Sequence, residues 1–558
     1  MDNYREKFEG YFIEYFGDIR SALSKIDYAV LYEALPIYYL VLVECGRLKD
    51  FLRDLPDIIT IQQNYVYVLS QIEERDYAIE DKYVNLSSNY TGSGVTLGII
   101  GGGVDYLDFN FMYDDENTRI KAIWDQTIDG NSGGIVSYGK EYKKVDIEEA
   151  MKLGWQGKNH NKIVEHTDSN GYGTNICKAI SGSKFNSVNQ CEYAIVKLKK
   201  AELVTRKMNC IKFKNGNLYE TYDIIKALEY LYKLNKVTLE PMVVYLPLES
   251  NFGGRDGGEV LERVIDYFSN MSKDLFIVTN NGNEGDGYRH SDGIIDEKDD
   301  ELYVPIIVGA EAGANKEERK FDFIVSIWTN KYDKLSIKVI SPLEEETIPI
   351  DSCNRFEINT TKFEAGTIET LSIEPRVNSN EEETIIKVRD AVQGTWIINL
   401  VGKEIIYGDY DIWLPMKELT NYSIVFKYPS KNRTLTTPST AKTVLSSMCY
   451  SRYEKGIRVL SGMPSGELKK RTRASLVVDG TGILIEDEHG IVKIDGIAAS
   501  GCILTWFTIV ILQWAIVEGN KPDVNLSDIR IILARSSIKY SNLKYSIVDI
   551  NKLNQLLV

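Results

Sequence analysis

The chain has 558 residues, which is too long for a single hydrophobic core and predicts about two to four domains. Its formal net charge of −16 argues against nucleic acid or an anionic membrane as the main partner. The seven cysteines are spread singly and form no CxxC pair, so we expect free, mostly buried thiols and neither a disulfide framework nor a metal site.

The first 75 residues predict a small α+β unit. The runs YAVLYEAL and YYLVLVEC are typical of strands, RLKDFLRDL has the spacing of an amphipathic helix, and IITIQQNYVYVL is again strand-like. The charged start, MDNYREKFEG, lacks the apolar core of a signal peptide, so we expect no signal peptide and no Sec export.

Two segments, 76–315 and 428–558, alternate short apolar strands with helical stretches. This alternation predicts an α/β domain with a doubly wound parallel sheet. Residues 316–427 between them contain short alternating strands without helices, which is typical of an inserted all-β sandwich or jelly roll. The apolar stretch 501–519 contains Gln513 and is short for a membrane span, so it predicts a helix buried in the α/β core.

Three consecutive glycines follow an apolar run in GIIGGGVDY, residues 98–106. A dinucleotide-binding turn would need glycine at the sixth position counted from Gly101, where this chain has Tyr106. The acidic residues that follow would also repel a pyrophosphate. We therefore expect no nucleotide at this turn and no cofactor in this protein.

Four stretches in chain order carry a more specific pattern: GVTLGIIGGGVDY, DSNGYGTNICKAISG, IVTNNGNEGDGYRH and IDGIAASGCILTWFTIVILQW. With them the chain resembles the subtilisin-like serine protease family, and more closely the Csp germination proteins of clostridial spores. The family writes these stretches as strand–Asp–Thr–Gly, Gly–His–Gly–Thr–His, Gly–Asn–Glu–Gly, and Gly–Thr–Ser before an apolar helix. The resemblance covers nearly the whole chain and implies a subtilisin-like domain with a prodomain over residues 1–75 and an inserted jelly roll.

The chain departs from the family pattern at all three positions of the catalytic triad. Gly101 stands where the family has its aspartate, Tyr172 where it has its histidine, and Ala498 where it has its serine. A serine hydroxyl is a poor nucleophile until an imidazole takes its proton, and a carboxylate orients that imidazole. Losing one member of such a unit costs about 10⁶ in turnover. The resemblance therefore implies a pseudoprotease, although Asn283 still matches the oxyanion-hole asparagine of the family.

No other residue is expected to replace the missing groups. We expect His166 and His290 to be exposed or capping residues. Ser500 lies two positions after the old serine site on the same helix, so its hydroxyl should point away from that site. Cys502 lies deeper in the apolar helix and should be a packed, inert thiol.

The edge strand that would bind a substrate is also altered, because Pro247-Leu248-Glu249 replaces the Ser-Leu-Gly of the family. Proline cannot donate a strand hydrogen bond, so this change argues against substrate-like peptide binding. A chain without a triad cannot cut off its own prodomain. We therefore expect an uncleaved chain with residues 64–71 lying across the vestigial cleft as an added strand.

Resemblance to the Csp proteins implies a regulator or signal relay in spore germination, located in the bacterial spore. Such a protein would control an active Csp protease, which in turn activates a cortex-degrading hydrolase. The partners expected on this basis are other Csp proteins, a cortex-hydrolase precursor and a small-molecule germinant, with no nucleic acid and no membrane span. The alternative is a residual serine-type hydrolase with rearranged catalytic groups, which a covalent fluorophosphonate adduct would reveal.

Overall fold

The computed structural model describes residues 7–76, 83–114, 117–130, 135–182, 185–212, 216–309, 320–352, 356–373, 379–453, 456–459, 476–487, 490–539 and 546–557. Cys353, one of the seven cysteines, lies outside these ranges.

The N-terminal unit is a four-stranded antiparallel sheet with two short helices, only the second of which was predicted from the sequence. Its elements are β1 (Phe8–Tyr15), α1 (Ile19–Leu23), β2 (Ala29–Ala34), β3 (Tyr39–Glu44), α2 (Leu48–Asp54) and β4 (Ile58–Gln63). The strand order is β2-β3-β1-β4. Two further strands, β5 (Val66–Leu69) and β6 (Glu73–Asp76), leave this sheet and enter the next domain.

The N-terminal unit shares its hydrophobic core with the α/β domain. Phe12 and Phe51 of the unit belong to the same buried cluster as Ile224 and Leu261 of two helices in that domain. Burying this much apolar surface between the two parts stabilises their association in one chain.

The α/β domain is built on a large and mostly parallel sheet. The first part of the chain in this domain contributes β7 (Thr96–Gly101), β8 (Ile120–Asp125), β9 (Lys140–Lys143), α3 (Lys144–Trp155), α4 (Tyr172–Ser181), β10 (Glu192–Lys197), α5 (Leu203–Met208), β11 (Leu218–Glu220), α6 (Thr221–Thr238), β12 (Met242–Leu246), β13 (Leu248–Glu249), α7 (Val260–Met271) and β14 (Leu275–Asn280). Strands β7, β10, β12 and β14 pair in parallel, with continuous apolar runs that are buried on both faces.

A β-sandwich interrupts the α/β domain. Its strands are β15 (His290–Ile294), β16 (Glu301–Gly309), β17 (Phe321–Asn330), β18 (Lys334–Ile340), β19 (Ile350–Asp351), β20 (Ile358–Phe363), β21 (Gly366–Ile373), β22 (Glu381–Ala391), β23 (Gly394–Glu404), β24 (Asp409–Trp413) and β25 (Ser423–Phe426). They form two antiparallel sheets, ordered β15-β24-β17-β22-β21-β20 and β19-β18-β23-β16-β25. Residues of both sheets, such as Ile327 and Ile398, share one buried cluster, so the sheets pack face to face.

The last part of the chain completes the parallel sheet. It contributes β26 (Val444–Tyr453), β27 (Gly456–Val459), β28 (Leu476–Asp479), β29 (Ile483–Asp487), β30 (Gly490–Asp495), α8 (Ile497–Leu512), α9 (Leu526–Arg535), β31 (Ser537–Lys539), β32 (Ser546–Val548) and α10 (Ile550–Leu556). The described order of the sheet is β31-β32-β28-β26-β14-β12-β7-β10-β8-β9, with β27 on β26. The predicted doubly wound parallel sheet is therefore confirmed.

Helix α8 lies inside the α/β domain, and every residue from Ile497 to Leu512 is buried. The segment Ile497–Val517 is long and apolar enough to cross a membrane by length and composition, yet 78% of its most apolar window is buried within this protein. The prediction of a buried core helix is confirmed, because its side chains already pack against the sheet and α4.

Candidate functional site

Gly101 ends strand β7 at the carboxyl edge of the central sheet, where open α/β sheets bind their ligands. Its backbone lies outside the left-handed region, so the conformation does not require glycine. A Cβ here would meet only the Cδ2 atom of Leu69, at an ordinary contact distance of 3.7 Å. An aspartate would therefore fit, but this chain supplies no carboxylate at this position.

Tyr172 is the first residue of helix α4, after Gly171 in the left-handed conformation. Its hydroxyl donates a hydrogen bond of 2.9 Å to the carbonyl oxygen of Ser70. Burial raises the pKa of Tyr172 well above its ordinary value, so the phenol stays protonated. The side chain at the old histidine position is therefore a hydrogen-bond donor to the N-terminal unit and cannot serve as a base.

Ala498 lies near the start of helix α8 and is fully buried. Its backbone N–H donates a hydrogen bond of 3.2 Å to the carbonyl oxygen of Gln71. The hydroxyl of Ser500 turns inward and donates to the carbonyl of Ile497 at 2.7 Å, with Ser447 at 2.9 Å. The prediction that Ser500 points away from the old serine site is therefore confirmed.

Cys502 is fully buried in the same helix, and burial raises the pKa of its thiol. A thiol that stays protonated in an apolar environment is inert, as predicted.

Asn283 follows β14, after the left-handed Gly282, and its side chain is half-buried. Within the described part of the chain its amide makes no hydrogen bond. The carbonyl of Gln71 instead accepts from Ala498, the backbone donor that an oxyanion hole of this type provides. The peptide carbonyl of Gln71 therefore lies at the backbone N–H of the position where the family pattern has its serine.

The segment 64–76, called the tail below, crosses the whole cleft formed around Gly101, Tyr172 and Ala498. Strand β5 of the tail lies between β11 and β13 and is antiparallel to both. Strand β6 pairs with β30 on the other side. The tail is therefore held in one small sheet before the three triad positions and in another after them, and β5 is the predicted added strand.

Ser70 is fully buried at the centre of the tail and makes hydrogen bonds with three residues of the α/β domain. Its N–H donates to the carbonyl of Pro247 at 2.8 Å, its hydroxyl accepts from Asn280 at 2.9 Å, and its carbonyl accepts from Tyr172. Such full satisfaction of a buried polar residue fixes the register of the tail in the cleft.

The expectation that Pro247 and Glu249 disfavour peptide binding is wrong. Leu248 and Glu249 pair with Leu69 and Val68 of the tail. The proline lies at a strand position where only its carbonyl is used, so the missing N–H costs nothing.

The expectation that His166 is exposed or capping is also wrong. His166 is buried, with Nδ1 2.7 Å from the Asp125 carboxylate and Nε2 accepting from the N–H of Val104 at 3.0 Å. Although burial opposes it, the hydrogen bond from His166 keeps the pKa of Asp125 below its ordinary value. Both ring nitrogens are committed to this structural pair, so the imidazole cannot act as a base in the cleft.

His290 is buried too, which corrects the same expectation for that residue. Its Nε2 lies 2.8 Å from the Asp411 carboxylate, and its ring stacks on Trp413 with centroids 3.8 Å apart. Strand β15 pairs with β24 and brings these residues together. Such a long-range contact cannot be predicted from the local sequence.

Three glutamates lie close together near the tail, and the sequence analysis assigned a role only to the first of them: Glu249, Glu284 and Glu418. Burial, together with the neighbouring carboxylates, raises the pKa of Glu249 to about 8 and that of Glu284 to about 7. The side-chain amide of Gln71 donates to Glu418. Within the described residues no three His, Cys, Asp or Glu side chains are arranged to hold a metal ion.

A prodomain-like unit, a parallel strand that ends at Gly101, and two buried helices that begin at or next to Tyr172 and Ala498 define a subtilisin-like fold. A solved structure, the CspB protease of Clostridium perfringens, matches with a TM-score of 0.69 at 23% identity, over 84% of this chain and 94% of that one. The protein has the fold of that protease.

A weaker match is EpiP, the epidermin leader peptide processing serine protease of Staphylococcus aureus. Its TM-score is 0.45 at 9% identity, over 99% of this chain and 98% of that one. No family model and no curated protein matches the chain.

Proposed function

We propose that this protein is a catalytically inactive subtilisin-like pseudoprotease of the Csp type. It acts as a regulator or signal relay in spore germination and controls an active Csp protease, which then activates a cortex hydrolase. The fold shared with CspB protease supports the class, and the residues at the triad positions support the inactivity.

One observation carries the proposal. The three triad positions lie against three consecutive residues of the tail, because Gly101 adjoins Leu69, Tyr172 bonds Ser70 and Ala498 bonds Gln71. No group among these positions can take a proton from a nucleophile or attack a carbonyl. The cleft is built to hold a peptide and lacks the groups that would cut it.

The partners that we propose are other Csp proteins, a cortex-hydrolase precursor and a small-molecule germinant, all within the bacterial spore. A pull-down from spore extract with the intact chain as bait tests this part. Recovery of an active sibling protease or of the hydrolase precursor would support regulation, and recovery of neither would count against it.

The inactivity is tested by incubating the purified chain with a fluorophosphonate probe, followed by intact-mass and peptide mass spectrometry. We expect one unlabelled chain of 63.4 kDa without spontaneous scission. The matched control is Ser500→Ala, which removes the nearest hydroxyl on α8. An adduct in the cleft of the parent chain that disappears in this variant would establish the residual hydrolase instead.

A further inference from the structure

A cavity of about 350 Å³ lies where the N-terminal unit, the α/β domain and the β-sandwich meet, and it is called the junction cavity below. Small-molecule sites in proteins are commonly of this size and at such junctions. The described residues that line it come from all three parts of the chain: Glu9 of β1 and Cys45 after β3, Leu203, Val204 and Lys207 of α5, and Arg389 of β22. None of them belongs to the tail or to the triad positions.

The described lining of the junction cavity is positively charged, on a protein that is acidic as a whole. Lys207 and Arg389 contribute two positive charges and Glu9 one negative charge, whereas the chain carries a formal net charge of −16. Within the described part of the chain neither cation forms an ion pair, and the Glu9 carboxylate accepts from the hydroxyl of Tyr11 at 2.8 Å. The cavity therefore favours a ligand with one negative charge.

The two cations lie side by side at the end of α5. Nη1 of Arg389 donates a hydrogen bond of 3.2 Å to the backbone carbonyl of Lys207. Among the described residues, the other N–H groups of this guanidinium and the ammonium of Lys207 have no hydrogen-bond acceptor. A carboxylate can accept from a guanidinium and an ammonium together, and such charge-assisted hydrogen bonds are stronger than neutral ones.

Apolar side chains lie beside the cations. Leu203 is 40% exposed, and Val204 next to it is half-buried. Leu203 and Lys207 are four residues apart on α5 and therefore share one face of the helix. A short hydrocarbon chain packed on Leu203 would remove apolar surface from water, which contributes about 25 cal/mol per Å².

We propose that the junction cavity binds a small organic monoanion, a carboxylate on a short aliphatic body. The carboxylate would lie between Lys207 and Arg389, and the hydrocarbon would pack on Leu203. The inference rests on the proposed function only in taking a small molecule as the effector, since the cavity itself supplies the place and the charge of the ligand.

Hydrogen bonds connect the junction cavity to the start of the tail. Asn209, which caps the end of α5, is fully buried. Its Oδ1 accepts from Nε2 of Gln63 at 3.0 Å, and its Nδ2 donates to the carbonyl of Asn64, the first residue of the tail, at 2.8 Å. A ligand that joins α5 to β22 stabilises the arrangement in which Asn209 holds the tail, so its binding should slow the opening of the tail.

The first experiment follows alkylation of Cys45, an exposed thiol, by uncharged iodoacetamide in the full chain. Peptide mass spectrometry separates Cys45 from the other cysteines. With about 10 mM pentanoate we expect the alkylation rate to fall about tenfold, as a Kd of about 1 mM requires. Pentanamide, the uncharged analogue, should give no protection at the same ionic strength. Equal protection by the two compounds, or none by pentanoate, would overturn the proposal.

A third compound tests the aliphatic body of the ligand. Inorganic phosphate is an anion without hydrocarbon, and we expect it to protect Cys45 at least about fivefold less well than pentanoate. Equal protection by phosphate would show that the cavity attracts any anion, and the aliphatic class would be wrong.

The second experiment identifies the cations with Lys207→Gln and Arg389→Gln. Each substitution should weaken the affinity for pentanoate at least about fivefold, because one charge-assisted hydrogen bond is lost. The matched control is Lys403→Gln, which removes an exposed lysine of β23 in the other sheet of the sandwich. Unchanged affinity in both cavity variants, or an equal loss in the control, would place the anion elsewhere and overturn the proposal.

The third experiment measures the connection to the tail by hydrogen exchange in residues 64–76. At ten times the Kd of pentanoate, a tail that opens only in the empty protein should exchange about tenfold more slowly. Unchanged or faster exchange with bound pentanoate would refute the connection.

The two proposals fail separately. Fluorophosphonate labelling of the cleft would refute the pseudoprotease while leaving pentanoate binding measurable. Absence of protection by pentanoate in an unlabelled chain would refute the junction site alone.

Discussion

Replacing Tyr172 by phenylalanine removes one hydroxyl and leaves the aromatic ring in place. The lost hydrogen bond, 2.9 Å long and buried, joins the side chain to the carbonyl of Ser70. A net hydrogen bond contributes about 1 kcal/mol, and a buried carbonyl left without a donor costs about 1–3 kcal/mol. We expect the tail to be held about 2 kcal/mol less tightly, which raises its open population about 30-fold.

Hydrogen exchange followed by mass spectrometry measures this effect directly in the segment 64–76. The matched control is Tyr106→Phe, which also removes a buried hydroxyl, bonded to His160 at 2.6 Å and to the carbonyl of Val164 at 3.2 Å, away from the tail. That variant should lower overall stability without selective exchange in the tail. If exchange of the tail were unchanged in Tyr172→Phe, or equally accelerated by both substitutions, the hydroxyl would not hold the tail.

Three further predictions follow from the same geometry. A chain carrying Gly101→Asp, Tyr172→His and Ala498→Ser should cut itself slowly at the bond between residues 71 and 72, because the carbonyl of Gln71 lies at the backbone N–H of position 498. N-terminal sequencing of the fragments checks this, with Ala498→Ser alone as the control. A cut at another bond would contradict the register of the tail. Burial raises the pKa of Glu249, Glu262 and Glu284 from 4.5 to about 7–8, so over this range the folded state binds protons that the unfolded state has released. The free energy of unfolding should therefore fall by several kcal/mol as the pH rises from about 5 to about 9. Urea unfolding at both pH values measures this loss, and a flat profile would contradict it. Gly173→Ala should destabilise the fold by about 3 kcal/mol or more, since its Cβ would lie 1.9 Å from the carbonyl oxygen of Gly103; an unchanged melting temperature would refute that close approach.

The local pattern of the chain predicted the elements of the α/β domain well. The run PMVVYLPL forms β12 and the run ETYDIIKALEYLYKLNK forms α6. Buried parallel strands and amphipathic helices each have a characteristic spacing of apolar residues, which can be recognised in the sequence. The sandwich begins earlier than residue 316, with β15 at His290 and β16 at Glu301. Those strands sit next to polar turns, and only their pairing with β24 and β23 reveals them.

The sequence predicted which side chains replace the catalytic groups of the family better than it predicted the contacts around the candidate site. The sequence alone is sufficient to see that Gly101, Tyr172 and Ala498 differ from the aspartate, histidine and serine of the family pattern. The contacts of His166 with Asp125 and of Gln71 with Glu418 join residues more than 40 positions apart in the chain, which only folding brings together. Burial of a histidine or a glutamate is likewise a property of the assembled core, which periodicity does not encode.

In the uncleaved chain that we propose, the tail is joined to the protein by peptide bonds at both ends, and strand pairing holds it near both ends. Its effective concentration at the cleft is therefore on the order of millimolar or higher. A free peptide of micromolar affinity would rarely displace it, whereas a protein that first docks elsewhere on the surface would raise its own local concentration to match. In the uncleaved chain, a short free peptide is therefore expected to be a poor competitor for the cleft.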